Sequence, residues 1–343
     1  MDPVSALERV AYLLERELAE THRVKAFRKA ARRLAALPPA ELDRRIADGT
    51  LTDLADVGPR TAAVATEAAG GATPGYVADL EARAAFPLVP GGETVRSWLR
   101  GDLHSHSDWS DGGSPIREMA EVAIAAGHEY LALTDHSPRL TVARGLSAER
   151  LRQQLEVVAA LNAELAPFRI LTGIEVDILE DGRLDQDEDL LAELDVVVAS
   201  VHSKLRMASE DMTRRMVTAV ANPHVDVLGH CTGRLITGGR GTRPESTFDA
   251  ELVFEACRRF DVAVEINSRP ERRDPPTRLL ELAHEMGCLF AIDTDAHAPG
   301  QLDFLDHGCA RAQGEGVTRE RIVNTLPADE LLTWTAHAPT GSL

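Results

Sequence analysis

From residue 101 onward, short apolar runs alternate with stretches of helical periodicity. Seven runs predict strands, and they are GDLHSHS, YLALTDHS, RILTGIEVDI, VVVASVHS, VDVLGHCTG, VAVEINS and CLFAIDTDAH. Continuous apolar strands that alternate with helices are typical of a parallel sheet buried on both faces. Seven such units over about 240 residues predict a closed or nearly closed α/β barrel of the TIM type.

Residues 3 to 84 show helical periodicity throughout. In HRVKAFRKAARRLAAL the apolar residues recur at helical spacing, and between residues 23 and 33 the other positions hold six basic residues and no acidic one. Such a run is most often a solvated helix face, and the alternative is a face that contacts phosphates. In the second interpretation the DNA-binding candidates of this helix are Lys25, Arg28, Lys29, Arg32 and Arg33.

A short turn, Val57-Gly58-Pro59, separates two helical stretches further along this segment. The second helix could present its N-terminal amides to an anion, which adds Gly58 and Arg60 to the DNA-binding candidates. The segment resembles a helix-hairpin-helix, which binds the DNA backbone without reading its sequence. Asp56 stands where that hairpin usually has its first glycine, so the resemblance supports the fold more than the DNA contact.

The Pro/Gly-rich stretch FPLVPGGETVRSW predicts a linker between the two parts of the chain. The predicted organisation is therefore a small all-α domain over residues 1–85, a linker over 86–98 and an α/β barrel over 99–343. A chain of 343 residues, 44% of them hydrophobic, has the material for a large barrel core.

The net charge of −18 arises entirely from the predicted barrel region. Residues 1 to 100 hold 14 Lys or Arg and 14 Asp or Glu, which leaves 23 basic and 41 acidic residues for the remainder. An acidic body repels nucleic acid unless bound cations or a basic arm reverse the field locally. Four widely spaced cysteines, no secretory leader and no apolar run long enough for a membrane span predict a cytoplasmic protein without a membrane partner. The sequence leaves the oligomeric state open.

Histidines and acids fall at the C-terminal ends of the predicted strands, where α/β barrels place their active sites. In chain order they are His104 and His106 followed by Asp111, Asp135 and His136, Glu175 and Asp177, His202, His230, Asn267, and Asp295 and His297. A lone histidine at a strand end is more often a hydrogen-bonded structural residue than a ligand. Six of the 12 histidines at one rim, together with acids, instead predict a metal site.

The spacing within the strands supports this prediction. His104 and His106 are two positions apart, so both side chains point to the same side of the first strand, and Asp295 and His297 repeat that spacing on the last. The first and last strands of a barrel are neighbours, so the two pairs are expected to adjoin each other. Glu175, on the third strand, could then reach towards His202 and His230.

These residues resemble the ligand set of the polymerase and histidinol phosphatase (PHP) family of metal-dependent phosphoesterases. The family's nine ligands match His104, His106, Asp111, His136, Glu175, His202, His230, Asp295 and His297. The resemblance implies a distorted (β/α)7 barrel that holds up to three divalent metals, with zinc, manganese and iron all suited to the ligand types. It implies one metal on His104, His106, Glu175 and Asp295, a second on Glu175, His202 and His230, and a third on Asp111, His136 and His297.

Within that family the chain is similar to the PHP domain of bacterial family X DNA polymerases, through LALTDHS, GIEVDIL, VVVASVHS, GHCTGRL and EINSRPERRD. Residues 3 to 84 also resemble the N-terminal helical module of those polymerases. Only the linker occupies the place of a palm domain, so polymerase activity is predicted to be absent. No lysine lies between Lys29 and Lys204, which argues against Schiff-base lyase chemistry in the hairpin module.

The resemblance implies hydrolysis by a metal-activated hydroxide held by the ligands, together with metal neutralisation of phosphoryl charge. Arginine binds phosphate oxygens bidentately, and Arg234 and Arg272 look like basic residues of the polymerase-associated domains. Arg269 and Lys204 also follow strand ends, where phosphate contact and simple surface ion pairing are equally plausible.

Three hypotheses about function remain open at this point. The first is a phosphoesterase of DNA ends, either a 3'-5' exonuclease or a 3' phosphatase in DNA repair. The second is a small-molecule phosphatase of the histidinol phosphatase type. The third is a DNA-binding module whose barrel is catalytically idle, against which the complete ligand set argues.

Overall fold

The computed structural model describes residues 1–239 and 241–336, and the end of the predicted barrel range at residue 343 lies outside them. The chain divides into two units. The first is Met1–Leu88 with Pro299–Asp303, and the second begins at Val89, runs to Ala298 and resumes at Phe304. Within the predicted linker the backbone forms one short helix, Glu93–Arg96.

The first unit is all-helical, as predicted. Its helices are α1 (Pro3–Arg16), α2 (Thr21–Ala35), α3 (Pro39–Ala47), α4 (Pro59–Ala69) and α5 (Gly75–Ala84). The apolar stripe of α2 packs into a core with α1 and α4, through Phe27, Ala31, Leu34 and their neighbours. A stripe with this spacing forms one continuous face of a helix, which explains why these residues are buried.

The second unit alternates strands and helices. The strands are β1 (Gly101–Ser105), β2 (Tyr130–Leu133), β3 (Arg169–Asp177), β4 (Val196–Ser200), β5 (Val227–Leu228), β6 (Ala263–Asn267) and β7 (Phe290–Asp293). The helices are α6 (Glu93–Arg96), α7 (Ile116–Ala125), α8 (Ala148–Leu165), α9 (Glu188–Leu191), α10 (Ser209–Val220), α11 (Ala250–Arg259), α12 (Thr277–Glu285), α13 (Leu305–Gly314) and α14 (Ala328–Thr335).

The seven strands form one parallel sheet in sequence order, which confirms the predicted seven-stranded barrel. Among the described residues a single backbone bridge, Ser105 to Ala296, joins the end of β1 to the segment that follows β7. A side chain also links these two strands, because the Asp293 carboxylate accepts a 2.8 Å hydrogen bond from the Leu103 amide. The barrel is therefore nearly closed, with a polar seam between its first and last strands.

The strands are shorter than the apolar runs that predict them. The run YLALTDHS predicts a strand to Ser137, whereas β2 ends at Leu133. Beyond that point side chains take over the hydrogen bonding: Thr134 Oγ1 accepts from the Ser105 amide, and the Asp135 carboxylate accepts from the Ser107 amide. At the mouth of the barrel, hydrogen bonds to polar side chains thus replace the backbone hydrogen bonds between neighbouring strands.

Gly308 on α13 allows that helix to lie against the sheet. A Cβ at this position would stand 2.2 Å from Ser268 Oγ and 2.6 Å from Ile292 Cγ2. We expect Gly308→Ala to lower the free energy of unfolding by about 1–3 kcal/mol, the usual cost of overpacking a core. Gly314→Ala, on the same helix with nothing within 4 Å of its added Cβ, is expected to be neutral or slightly stabilising. Urea unfolding of both variants tests this, and equal destabilisation would contradict it.

Candidate metal centre

Glu175, near the end of β3, lies at the middle of a cluster of imidazoles. Its Oε1 is 2.9 Å from His230 Nε2 and 3.1 Å from His202 Nε2. Its Oε2 is 2.8 Å from His136 Nδ1, with the Nε2 atoms of His104 and His106 at 3.4 and 3.6 Å. The Glu175 side chain is 0% exposed. One buried carboxylate therefore contacts histidines that come from four different strand ends.

A second part of the cluster surrounds Asp111, in the loop after β1. Asp111 Oδ1 lies 3.3 Å from His297 Nε2 and 3.5 Å from His136 Nε2. His106 joins the two parts, because its ring centroid is 4.2 Å from that of His297 and 4.4 Å from that of His136. The first and last strands thus bring their histidines together, which is the adjacency expected of a barrel.

Asp295 supplies a further carboxylate beside His106. Its Oδ1 is 3.4 Å from His106 Nε2 and also 3.4 Å from His297 Nδ1. The backbone at Asp295 is left-handed, with φ of 52°. Such a conformation is unfavourable for a non-glycine residue and is typically retained at functional sites, where the surrounding structure enforces it.

Three groups of side chains can each place their ligand atoms within 4.8 Å of one another. They are His106 with Asp111, His136 and His297; His104 with His106 and Glu175; and His136 with Glu175 and His202. The grouping differs in detail from the one implied by the resemblance, because His106 and His136 each belong to two groups. His230 and Asp295 lie outside all three groups in the described residues, although both contact members of them.

The chemistry of the cluster fits divalent metals. Although its buried atoms lie close to one another, many of them make no hydrogen bond in the described part of the chain, namely His104 Nε2, both ring nitrogens of His106 and His230, His136 Nδ1, His202 Nε2 and both oxygens of Glu175. Leaving such atoms unsatisfied is costly, at about 1–3 kcal/mol each. Imidazole nitrogen with carboxylate oxygen is the donor set that zinc, manganese and iron accept. The residues at the mouth can therefore hold metal ions.

The electrostatics of the cluster show how strongly its members interact. Burial raises the pKa of Glu175, but His202, His136 and His104 outweigh burial and hold that pKa well below its usual range. Burial lowers the pKa of His202, while Glu175 and Asp177 raise it, with a net result of about 9. Burial and the neighbouring imidazoles of His297 and His136 lower the pKa of His106 to about 3. His106 is thus neutral at pH 7, as a metal ligand must be.

Two carboxylates that the sequence did not assign a role orient the histidines. Glu265 Oε1 is 2.6 Å from His104 Nδ1, and its Oε2 accepts the backbone amide of His230 at 2.5 Å. Asp177 Oδ1 is 2.5 Å from His202 Nδ1. A carboxylate on the far nitrogen fixes the tautomer of a metal-binding histidine and raises its basicity. The available signal was an acid inside an apolar strand, at Glu265 in VAVEINS.

We expect Glu265→Gln to weaken metal binding about 10- to 100-fold, because removing such a partner usually has that effect on metal affinity. The measurement is competition of the purified protein against a chromophoric chelator. Glu251→Gln, an equivalent change at an exposed position on α11, is the control and is expected to leave affinity unchanged. Equal affinity for the Glu265 variant and wild type would contradict the orienting role.

The predicted phosphate-binding residues separate into two pairs. Arg272 and Arg269 lie at the cluster: Arg272 Nε is 3.2 Å from Asp295 Oδ2, and Arg269 Nη1 donates to the Asp295 carbonyl at 2.8 Å. Arg234 does not point there, because its guanidinium donates to the carbonyls of Arg272 and Arg273 and lies 3.4 Å from Glu245. Lys204 is 63% exposed, with Glu180 as its ion-pair neighbour at 4.0 Å. The Arg234 guanidinium thus holds a neighbouring loop in this structure, and its contact with a substrate phosphate stays a prediction.

The DNA-binding candidates of the first unit are only partly available. Arg28 is buried and forms two hydrogen bonds to the Glu15 carboxylate, at 2.8 and 2.9 Å, so it does not belong to the exposed basic face. The Gly58 amide donates to Thr61 Oγ1 at 3.0 Å, and is therefore not free to meet a phosphate. The candidates that remain exposed are Lys25, Lys29, Arg32, Arg33 and Arg60.

Asp56 has a structural explanation at the hairpin. Its backbone is left-handed, with φ of 66°, which is why glycine suits this position. Its carboxylate lies 3.5 Å from Lys29 Nζ across the gap to α2. Asp56 would repel a phosphate directly, and it also neutralises part of the positive charge of Lys29, one of the DNA-binding candidates.

No helix in the described ranges 1–239 and 241–336 is both long enough and apolar enough to span a membrane.

Two separate parts of the chain match known protein families. Residues 102–269 match the family model of the PHP domain, and residues 1–70 match that of a helix-hairpin-helix domain. The chain is 46% identical over 226 residues to DNA polymerase/3'-5' exonuclease PolX of Bacillus subtilis, covering 66% of this chain and 39% of that protein. It therefore spans about two fifths of the length of that relative.

Shorter relatives also match this chain. A probable phosphatase of Thermoanaerobacter sp. (strain X514) is 29% identical over 235 residues, covering 65% of this chain and 89% of that protein. The crystal structure of histidinol phosphate phosphatase from Lactococcus lactis matches with a TM-score of 0.45 and 21% identity, over 63% of this chain and 92% of that one. A structural likeness at that level carries no ligand assignment to the present chain.

Proposed function

This chain is a PHP-domain phosphoesterase with a helix-hairpin-helix domain ahead of its barrel in the sequence, and from that premise we propose that it hydrolyses phosphate esters at DNA ends. The observation that carries the proposal is the pairing of the two domains in one chain. A phosphatase of small molecules needs only the barrel, whereas a helical module with an exposed basic face suits a polymer of phosphates. The 46% identity to a protein named as a 3'-5' exonuclease supports the same substrate.

The residues of the mouth have distinct tasks in such a reaction. The nine predicted ligands would hold up to three metals, which lower the pKa of bound water and neutralise phosphoryl charge. Glu265 and Asp177 hold the rings of His104 and His202 in place. Arg272, buried against Asp295, would bind a phosphoryl oxygen of the substrate.

The proposed activity is a 3'-5' exonuclease or a 3' phosphatase, without polymerisation. Among the described residues, the stretch between α5 and β1 forms only the four-residue helix α6, which leaves no room for a palm domain. We therefore expect no incorporation of nucleotides, and a function in end processing during DNA repair.

The direct experiment follows labelled single-stranded and gapped DNA, with 3'-hydroxyl or 3'-phosphate ends, in the presence of manganese. Wild type is expected to shorten the strands or to release phosphate, and His106→Ala is expected to do neither, because His106 belongs to two of the metal-binding groups. Absence of metal-dependent hydrolysis of every DNA would overturn the proposal. The idle-barrel hypothesis would then require that the purified protein contain no transition metal.

The exposed basic face provides a second arm of this experiment. Reversing Lys25 and Arg33 to glutamate is expected to raise KM for DNA about 10-fold and to reduce its salt dependence, since each lost phosphate contact lowers the slope by about 0.7 to 0.9. The control reverses Arg44 and Arg45 on α3, which makes the same change in net charge on another helix of the unit. Equal effects of the two double variants would show that net charge alone is responsible.

A small-molecule phosphatase is the second candidate, because the chain covers 89% of a probable phosphatase at 29% identity. This function predicts rapid hydrolysis of histidinol phosphate that does not change when Lys25 and Arg33 are reversed. DNA hydrolysis without turnover of histidinol phosphate would exclude it.

A further inference from the structure

The loop between β6 and α12 carries three arginines in five positions. This segment, residues 268–276, is called the arginine loop below. Arg269 and Arg272 turn inward and are buried beside Asp295, whereas Arg273 is exposed. The backbone amides of Arg272 and Arg273 both donate to the Arg269 carbonyl at 3.0 Å. The loop is thus a tight turn whose inner side belongs to the metal centre.

Two arginines from outside fix the arginine loop from behind. Arg234 donates to the carbonyls of Arg272 and Arg273, and Arg311 of α13 donates to those of Asp274 and Pro275. The pKa of Arg311 is lowered to about 10, because burial and the nearby cations Arg234 and Arg273 together outweigh Asp274, which raises it. Guanidinium groups therefore gather at this loop even though they repel one another.

Arg273 is the exposed member of this group. Its guanidinium has no ion pair or hydrogen bond in the described residues, although the barrel region carries 41 acidic and 23 basic residues. Its backbone is left-handed, with φ of 46°, where a long side chain is unfavourable and glycine or asparagine would be the usual choice. Unfavourable backbone that the fold nevertheless enforces is typical of functional sites. The turn therefore places an exposed arginine, Arg273, one residue after the buried Arg272.

A loop that is hydrogen-bonded to the arginine loop carries an exposed apolar side chain. Ile236, in the loop after β5, is 41% exposed, and its backbone amide donates to the Glu271 carbonyl of the arginine loop at 2.8 Å. The two loops that meet at this hydrogen bond thus carry an exposed isoleucine and an exposed arginine, an apolar part and a cationic part of the surface. A nucleotide offers the same two parts, a sugar and base face together with a phosphate.

We propose that Arg273, together with Ile236 on the loop that is hydrogen-bonded to the arginine loop, forms a second nucleotide subsite that binds the phosphodiester next to the one being hydrolysed. The inference rests on the proposed function and deepens it, because the subsite selects polynucleotides over substrates that carry a single phosphate. Arg272 and Arg273 then bind consecutive phosphates from adjacent positions of one turn. The arginines behind the loop keep that turn rigid, so little order has to be gained on binding.

The test compares two short substrates in the presence of manganese. The thymidine dinucleotide dTpT has only the phosphate that is cleaved, whereas dTpTpT has one more. Wild type is expected to favour dTpTpT in kcat/KM by about 10-fold, the contribution of one charge-assisted hydrogen bond. Arg273→Asn, which suits a left-handed backbone, is expected to remove most of that preference, and Arg273→Lys to keep part of it. On longer strands Arg273→Asn should also reduce the salt slope by about 0.7.

Arg258→Ala is the matched control, an exposed arginine at the C-terminal end of α11 that pairs with Glu255, and its preference should equal that of wild type. An unchanged preference in Arg273→Asn would overturn the subsite while leaving DNA hydrolysis intact. If wild type cleaves bis(4-nitrophenyl) phosphate but neither these oligonucleotides nor longer DNA, the proposed function itself is wrong and the subsite with it. The two failures therefore give different results.

Discussion

Replacing Glu175 with glutamine is expected to reduce phosphoesterase activity by about 10³-fold or more. Loss of a carboxylate that only orients a ligand costs about 10- to 100-fold in metal affinity or activity, and Glu175 is in direct contact with five histidines. The side chain is fully buried, so water does not replace the lost charge. The glutamine amide also brings two N–H donors, which would hydrogen-bond to the imidazole lone pairs that bind metal.

The measurement is kcat/KM on DNA and on bis(4-nitrophenyl) phosphate, together with the metal content of the purified variant. Glu180→Gln is the control, because Glu180 follows the same strand and is 64% exposed. Circular dichroism and the unfolding midpoint show whether the Glu175 variant keeps its fold. A folded Glu175→Gln protein with metal content and activity within 10-fold of wild type would contradict a central role for this carboxylate.

The sequence was sufficient to predict the barrel, because buried parallel strands leave a strong pattern. The strands are rich in apolar residues, and polar residues lie at or just after their C-terminal ends, where the barrel opens. Pairs such as His104 and His106 were informative for the same reason, since a spacing of two on a strand fixes the side to which both point. The structure brings all nine predicted ligands to one mouth through these two rules.

Contacts between distant side chains were not predictable in this way. Arg28 belongs by spacing to a basic face, but tertiary packing places it against Glu15 of α1. Arg234 follows a strand end as Arg272 does, yet its guanidinium is committed to backbone carbonyls of another loop. The choice between substrate contact and internal contact depends on which partner lies within about 3 Å, and periodicity contains no such information.

The role of Glu265 illustrates a third limit. An acid in the middle of an apolar strand indicates that something buried needs it, but not what. In the structure it lies against His104 and the amide of His230, which come from strands far apart in the sequence. The signal was visible, and only the three-dimensional neighbourhood gives it a meaning.

Removal of bound metal is expected to lower the melting temperature of the barrel by about 10 °C. Ions present at about 1,000 times their dissociation constant stabilise the folded state by about 4 kcal/mol, and for a unit of this size each kcal/mol shifts the midpoint by about 2–4 °C. After chelation, the buried nitrogens of His106 and His230 and the Glu175 carboxylate lose the ligand that satisfies them. Scanning calorimetry of the full chain with and without chelator measures the shift.

The stabilisation by metal is expected to depend on pH in a definite direction. In the metal-free protein burial lowers the pKa of His202, but Glu175 and Asp177 raise it to about 9, above the ordinary value of 6.5. The pKa of His104 is likewise raised well above 6.5, because Glu265 and Glu175 outweigh its burial. Imidazolium groups paired with these carboxylates therefore stabilise the metal-free barrel fully below about pH 6.5. That contribution disappears as the pH rises through about 9.

Metal ions bind the neutral rings and release these protons, so their contribution increases over the same pH range. The difference in melting temperature between the metal-loaded and the chelated protein is thus expected to widen from pH 6.5 to pH 9. Glu265→Gln removes one of the carboxylates that raise the pKa of His104. In this variant the difference in melting temperature should therefore grow less between pH 6.5 and pH 9. A difference that stays constant or shrinks towards pH 9 would mean that the imidazoles are not protonated in the metal-free barrel. Their buried nitrogens would then have to be satisfied in another way.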